Sequence, residues 1–216
     1  LRPDLSSFST RNQLLCFSKQ EIGLFTVVDA LLQLTGISKI YPGVTALDNV
    51  DFTLRSGEVR ALLGVNGAGK RTLVKIICGA ERPDAGTMKL ENQVIQVNDT
   101  ADAIRHGIVV VYQERTLIPH FTVAENILLG NEPSNGQLIR RRALNQRAEQ
   151  LLNRLGVDLD LNAEVIDLGA GQQQLVDIVR ALRTEPKVMV LDEPTAALSQ
   201  AETKHLFELL RQFKNQ

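Results

Sequence analysis

Short stretches in which apolar and polar residues alternate predict several β-strands in the first half of the chain. Residues 31–37 and 50–54 alternate in this way, with a Tyr-Pro-Gly turn between them, and residues 59–63 form a third such stretch. Residues 108–112 and 188–191 are instead continuous apolar runs rich in β-branched side chains. Such runs are typical of strands that are buried on both faces of a parallel sheet.

Apolar residues at helical spacing predict three helices after these strands, over residues 70–78, 143–155 and 171–182. Strands that alternate with helices indicate an α/β fold.

The same pattern predicts how the chain is organised. We expect one domain over residues 31–216, with the mostly helical stretch at about 114–180 as an insertion. Residues 1–30 are expected to be an irregular extension. Because residues 207–216 stop inside a predicted helix, the domain is expected to be truncated at its carboxyl end.

The composition is that of an ordinary globular protein, and it excludes some classes of function. Of the 216 residues, 44% are hydrophobic, and 24 basic against 25 acidic residues give a net charge of −1. This balance argues against a nucleic-acid-binding protein with an overall basic surface. The longest apolar stretch, residues 22–34, is interrupted by Asp29 and Gln33 and is shorter than the ~20 residues that a helix needs to span a bilayer. Cys16 and Cys78 are too few and too far apart for a disulfide framework or a Cys-based metal site.

The most informative segment is a glycine-rich loop between a predicted strand and a predicted helix. It consists of Gly64, Val65, Asn66, Gly67, Ala68, Gly69, Lys70, Arg71 and Thr72. This is the arrangement of a P-loop, in which the glycines let the backbone N–H groups face phosphate oxygens and the helix adds its positive amino-terminal end. Lys70 would bring a positive charge to the β- and γ-phosphates. The alternative is a glycine-rich turn with a surface lysine, which the flanking strand and helix disfavour.

The loop departs from the P-loop pattern at one position. The pattern has Ser or Thr directly after the lysine, because this hydroxyl is a ligand of Mg²⁺, whereas this chain has Arg71. Thr72 cannot simply replace it, since one residue along a helix turns the side chain by about 100°. The guanidinium could pair with phosphate in place of the metal, or it could crowd the metal out. Nucleotide binding therefore tolerates the change better than hydrolysis does.

A second segment combines a buried strand with two acidic residues. Asp192 and Glu193 follow the apolar run 188–191 directly, at the carboxyl end of a strand, where ligands bind in open α/β sheets. One carboxylate can hold Mg²⁺ through water, and the other can activate the attacking water. An Asp-Glu pair after a strand is also common in solvated turns, but a P-loop earlier in the chain favours the catalytic interpretation.

With these motifs in this order, residues 31–212 resemble the nucleotide-binding subunits of ABC transporters. The resemblance implies a P-loop NTPase fold of the ABC type, with a mixed sheet core and an inserted helical subdomain. It also implies that ATP and Mg²⁺ are the cofactors. Lys70, Gln113 and Glu193 would be catalytic, and Asp192 and Gln113 would contact the metal.

The resemblance extends to three further motifs. Tyr41 is similar to the aromatic residue that stacks on adenine, and residues 196–199 resemble the D-loop. The family's signature motif opens a helix whose amino terminus faces the γ-phosphate of the ATP on a partner subunit. The residues that resemble this motif are Leu168, Gly169, Ala170, Gly171 and Gln172.

Residues 34–47, 121–133 and 171–182 are similar to monosaccharide importers of the ribose, xylose and galactose type, which carry two such domains in one chain. The resemblance identifies this sequence as a fragment with the N-terminal of the two domains. The implied partners are membrane permease subunits, a second nucleotide-binding domain and, indirectly, a periplasmic sugar-binding protein, with no nucleic acid. The implied location is peripheral, at the cytoplasmic face of the cell membrane.

Two functions remain open. The first is an ATPase subunit that powers the import of a monosaccharide, and the second is a degenerate domain that binds ATP without efficient hydrolysis. The first is favoured by Lys70, Gln113, Asp192 and Glu193. Arg71, Gly169 in place of the signature Ser, and the absence of the family's switch His from this sequence favour the second.

Overall fold

A computed structural model describes residues 14–18, 30–65, 67–113, 116–135, 138–195 and 198–214. Within this part of the chain, helices pack against two four-stranded sheets, which confirms the predicted α/β class. The strands are β1 (Leu14–Ser18), β2 (Ala30–Tyr41), β3 (Val44–Arg55), β4 (Val59–Leu62), β5 (Ala85–Leu90), β6 (Gln93–Ile95), β7 (Ile108–Val111), β8 (Ser134–Asn135), β9 (Leu138–Ile139) and β10 (Val188–Asp192). The α-helices are α1 (Lys70–Ile77), α2 (Thr100–Arg105), α3 (Val123–Leu128), α4 (Arg141–Leu155), α5 (Ala170–Leu182) and α6 (Gln200–Lys214).

The first sheet has the order β4-β1-β10-β7. Predicted site residues lie at or just after the carboxyl ends of β4, β7 and β10. Strand β10 is parallel to β7, and β1 is antiparallel to both β4 and β10, so the sheet is mixed. Alternate residues of β10 face two hydrophobic clusters: Met189 and Leu191 pack into one, Val188 and Val190 into the other. All four are fully buried, which explains why the sequence shows a continuous apolar run there.

Strand β1 corrects the prediction that residues 1–30 are an irregular extension. Its five residues, Leu-Leu-Cys-Phe-Ser, lie in the middle of the sheet and pair with β10 on one side and β4 on the other. A strand in this place satisfies the backbone N–H and C=O groups along the facing edges of both neighbours. The four-residue apolar run was the only local signal, and its pairing partners are remote in sequence.

The second sheet has the order β3-β2-β5-β6 and is antiparallel. Its long hairpin, β2 and β3, turns at Pro42 and Gly43, as predicted from the Tyr-Pro-Gly sequence. Both strands have 12 residues and extend beyond the predicted 31–37 and 50–54, because pairing continues to the turn.

Helices α3, α4 and α5 lie between β7 and β10 in the chain and share one hydrophobic cluster with both strands. Asn126 of α3 is fully buried and fixes the segment before this helix. Its Oδ1 accepts from Ile118 N (2.8 Å), while its Nδ2 donates to the carbonyls of Ile118, Phe121 and Thr122. Such a satisfied buried amide holds the entry to the helical segment in one conformation.

No helix in the described part of the chain is both long and apolar enough to cross a membrane.

Candidate functional site

The glycine-rich loop joins the end of β4 to the start of α1. Gly69 precedes the helix with φ = 79°, in the left-handed region that favours glycine. A Cβ at this position would lie 2.4 Å from the carbonyl oxygen of Ala46 and 2.7 Å from Leu47 Cδ2. The loop therefore passes so close to β3 that glycine is required, and this contact fixes where α1 begins.

Lys70, the first residue of α1, folds back along the loop. Its Nζ donates to the carbonyl oxygens of Gly64 (2.6 Å) and Val65 (2.9 Å). Beside it lies a pocket of about 360 Å³, lined by Val44, Ala46, Gly67, Ala68, Gly69, Lys70, Arg71, Thr72 and Glu193. A loop lysine and a helix amino terminus, both of which favour phosphate, thus meet a carboxylate at one pocket.

The carboxyl end of β10 brings Asp192 and Glu193 to this place. Their side chains are 12% and 20% exposed. Burial raises the pKa of Asp192 above its usual value, and the nearby positive charge of Arg71 opposes this rise. Glu193 has φ = 48°, a conformation that costs energy in a non-glycine residue and is found preferentially at functional sites.

Arg71 connects the loop to the other predicted site residues. Its Nη2 donates to Gln113 Oε1 at 2.7 Å. The same Nη2 lies 3.7 Å from Glu193 Oε1, and its Nε lies 4.0 Å from Asp192 Oδ2. The structure therefore brings Lys70, Arg71, Gln113, Asp192 and Glu193 together, although Gln113 follows Arg71 by 42 residues.

This arrangement does not fit a Mg²⁺ ion held jointly by Gln113 and Asp192. Mg²⁺ needs oxygen ligands at 2.0–2.1 Å in octahedral geometry, whereas a guanidinium, which is a cation without acceptor atoms, already contacts both side chains. The described residues also contain no group of three or more His, Cys, Asp or Glu side chains that could hold a metal ion.

Tyr41 lies next to the pocket rather than in its wall. It pairs with Val44, which lines the pocket, at the turn of the β2–β3 hairpin. The ammonium group of Lys39 lies 5.7 Å from the centre of its ring.

The predicted signature residues lie at the start of α5, and none of the five is among the described residues that line the pocket. Gly169 N donates to Gln172 Oε1 at 3.2 Å. Gly171 is buried against α6: a Cβ there would come within 1.8 Å of Glu202 Oε1. Glycine at this position thus permits the close contact between α5 and α6.

Three predicted residues, Asn66 of the loop and Ala196 and Ala197 of the D-loop segment, lie outside the described residues.

Two pocket residues, Val44 and Ala46, are absent from the sequence prediction. Both residues lie at the start of β3, just after the hairpin turn, and they line the pocket beside the glycine-rich loop. Their position directly after the Tyr-Pro-Gly turn was the available signal. The packing of Glu202 on Gly171 had no signal in the sequence, because it depends on how α6 docks.

The chain is similar to import proteins. It is 47% identical over 186 residues to a ribose import ATP-binding protein of Rubrobacter xylanophilus and 46% identical over 185 residues to a galactofuranose transporter ATP-binding protein of Escherichia coli K12. Each match covers 86% of this chain but only 37% of the relative, so the chain spans little more than a third of these proteins' length.

Solved structures agree with this similarity. A nucleotide-free ATP-binding cassette from an ABC transporter matches with a TM-score of 0.72 and 28% identity, over 86% of this chain and 78% of that one. A dimeric ATP-binding cassette bound to ADP and Pi in a post-hydrolysis state matches with a TM-score of 0.65 and 27% identity, over 85% and 82% of the two chains.

A model of the ABC transporter family matches residues 47–196, which contain the loop, Gln113, the signature residues and the acidic pair. The predicted family and fold are thereby confirmed: the chain belongs to the ABC transporter family.

Proposed function

We propose that this chain is the nucleotide-binding part of a monosaccharide importer, in which ATP binding and hydrolysis power transport. The pocket beside the P-loop carries the proposal, because Lys70, the amino terminus of α1 and Glu193 meet there. The names of the similar proteins, which import ribose or transport galactofuranose, favour a sugar as the cargo.

In this function each residue has a separate task. The backbone N–H groups of the loop and the start of α1 would bind the phosphates, and Lys70 would exchange its two carbonyl contacts for phosphate oxygens. The carboxylate of Glu193 would accept the proton of the water that attacks the γ-phosphorus, while ADP leaves.

One observation favours the second candidate, ATP binding without efficient hydrolysis. Mg²⁺ is the expected cofactor of the family, yet Arg71 contacts both Gln113 and Asp192. If a guanidinium contacts the two side chains that would bind the metal, the domain would retain ATP binding more readily than ATP hydrolysis.

One proposed partner follows from the same site. Because the described pocket lacks the signature residues of its own chain, we propose that a second nucleotide-binding domain supplies them. Gly169, Ala170 and Gln172 are exposed and available for this contact. We further propose permease subunits as membrane partners, a periplasmic sugar-binding protein as an indirect one, and a peripheral position at the cytoplasmic face.

Replacing Lys70 tests the nucleotide-binding function. We expect Lys70→Ala to weaken ATP binding about tenfold or more, because it removes the charge next to the phosphates. Isothermal titration calorimetry of the whole chain with ATP measures this loss. The matched control is Lys75→Ala, an exposed lysine of the same helix. Equal affinity of both variants and the wild type would contradict the proposed site.

A further inference from the structure

Arg71 stands among the groups that would otherwise surround a metal ion. Its guanidinium donates to Gln113 and lies within 4.0 Å of the carboxylates of Asp192 and Glu193. It is thus the shared neighbour of three oxygen-bearing side chains that come from the ends of two different strands, β7 and β10.

The same side chain is also free to meet a ligand. Arg71 lines the P-loop pocket, and its side chain is 67% exposed. A guanidinium has five N–H donors in a planar fork, so a bond to Gln113 leaves donors for phosphate oxygens, which arginine binds in bidentate fashion.

The charges around Arg71 also favour a phosphate ligand over a divalent cation. Lys70 and Arg71 carry two positive charges, and Asp192 and Glu193 carry two negative ones when ionised. A divalent cation in this cluster would be repelled by the guanidinium and would have to displace it from Gln113. A triphosphate meets the same two carboxylates, but its oxygens can accept from Lys70, from the remaining donors of Arg71 and from the amino terminus of α1 without displacing the guanidinium from Gln113.

We propose that the guanidinium of Arg71 takes the place of the divalent cation, so that this pocket binds a nucleoside triphosphate without a metal ion. The proposal rests on the proposed function, namely that the P-loop binds nucleotide. It assigns to Arg71 both the neutralisation of phosphate charge and the link to Gln113.

The test is ATP binding in the presence of Mg²⁺ and in the presence of EDTA, measured by calorimetry for the wild type, Arg71→Ser and Arg71→Lys. For the wild type we expect the affinity to differ less than about tenfold between the two buffers. For Arg71→Ser we expect weaker binding in EDTA and a gain of about tenfold or more with Mg²⁺, because the serine hydroxyl restores the usual metal ligand. Arg71→Lys keeps the charge but not the planar fork, so we expect it to bind ATP more weakly than the wild type and to depend less on Mg²⁺ than Arg71→Ser does.

Three results would overturn the proposal while leaving the proposed function intact. They are a gain of about tenfold or more with Mg²⁺ for the wild type, no Mg²⁺ dependence for Arg71→Ser, or a dependence for Arg71→Lys as large as that of Arg71→Ser. If the wild type binds no ATP in either buffer, the proposed function itself fails, and the assignment of Arg71 fails with it. Circular dichroism of each variant shows that the fold is retained, which the exposure of Arg71 leads us to expect.

Discussion

Asp192 carries a carboxyl group that is shielded from water at the end of β10, next to the positive charge of Arg71. Burial raises its pKa above the ordinary value of 3.8. A raised pKa of an acid means that folding favours the protonated form. The contribution of this group to stability is therefore fully present below pH 3.8 and is lost as the pH rises through the pKa of the folded state.

We therefore expect Asp192→Asn to be more stable than the wild type at neutral pH, because the amide cannot ionise in the buried position. The gain should shrink as the pH falls from about 7 to about 3.5, where the wild-type carboxyl is protonated as well. Thermal unfolding across this pH range measures the difference.

Asp84 provides a control of opposite sign. The backbone N–H of Ile40 (2.7 Å) and then the ammonium group of Lys39 (3.1 Å) lower its pKa. Its stabilising contribution is present above the unfolded-state pKa and is lost as the pH falls through that of the folded state. Asp84→Asn should thus lower the melting temperature at neutral pH. A loss of stability in both variants at neutral pH would contradict the assignment for Asp192.

Among the elements, β1 pairs with a neighbour on each side, so its removal from the sheet would leave one edge of β4 and one edge of β10 unpaired. Cys16 pairs with Val190 of β10 and Arg60 of β4. Proline at this position removes a backbone donor inside a central strand, where it is rarely tolerated. We expect Cys16→Pro to lower the free energy of unfolding by about 1 to 3 kcal/mol, the cost of leaving a hydrogen-bond partner in the sheet unsatisfied, measured by urea denaturation.

Cys16→Ala keeps the backbone donor and serves as the control for loss of the thiol. If Cys16→Pro and Cys16→Ala unfold at the same urea concentration, β1 does not pair as described.

The elements differ in how far the sequence predicts them, and the reason is physical. Strand β10 is predictable because burial on both faces requires a continuous apolar run. Helix α1 is predictable because burial of one face requires apolar residues at helical spacing. Strand β1 carries only four apolar residues, and its place depends on two strands that lie elsewhere in the chain. The spacing of apolar residues indicates which side chains are buried, but it does not indicate which strands pair with each other.

The site shows the same division. The P-loop and the Asp-Glu pair are local motifs, and both could be recognised from residue order. The bond between Arg71 and Gln113 joins residues 42 positions apart and depends on how α1 docks beside β7. Sequence reasoning left open whether Arg71 pairs with phosphate or excludes the metal, since only the packed structure shows which side chains it contacts.

At the scale of the whole molecule, the pocket and the signature residues are separate features of one chain. The loop, Lys70 and Glu193 line the pocket, while Gly169 and its neighbours begin α5 elsewhere. A site that needs both must take them from two domains.

We expect ATP to increase the fraction of dimer, because a second copy of the chain can offer its signature residues to the bound nucleotide. Sedimentation velocity with and without ATP measures the change. The increase should be absent from Lys70→Ala and present in Lys75→Ala. An unchanged sedimentation coefficient for the wild type at saturating ATP would contradict the two-domain site.

The antiparallel strand in the middle of the first sheet also has a consequence for how this chain folds. β4 begins only about 40 residues after β1 ends, whereas β10 begins about 170 residues after it, so the edge of β1 that faces β10 is expected to pair later during refolding. Until then, an apolar strand edge stays open to other chains, which is a recognised route to aggregation. The yield of refolding should therefore fall with protein concentration in the interval before β10 docks.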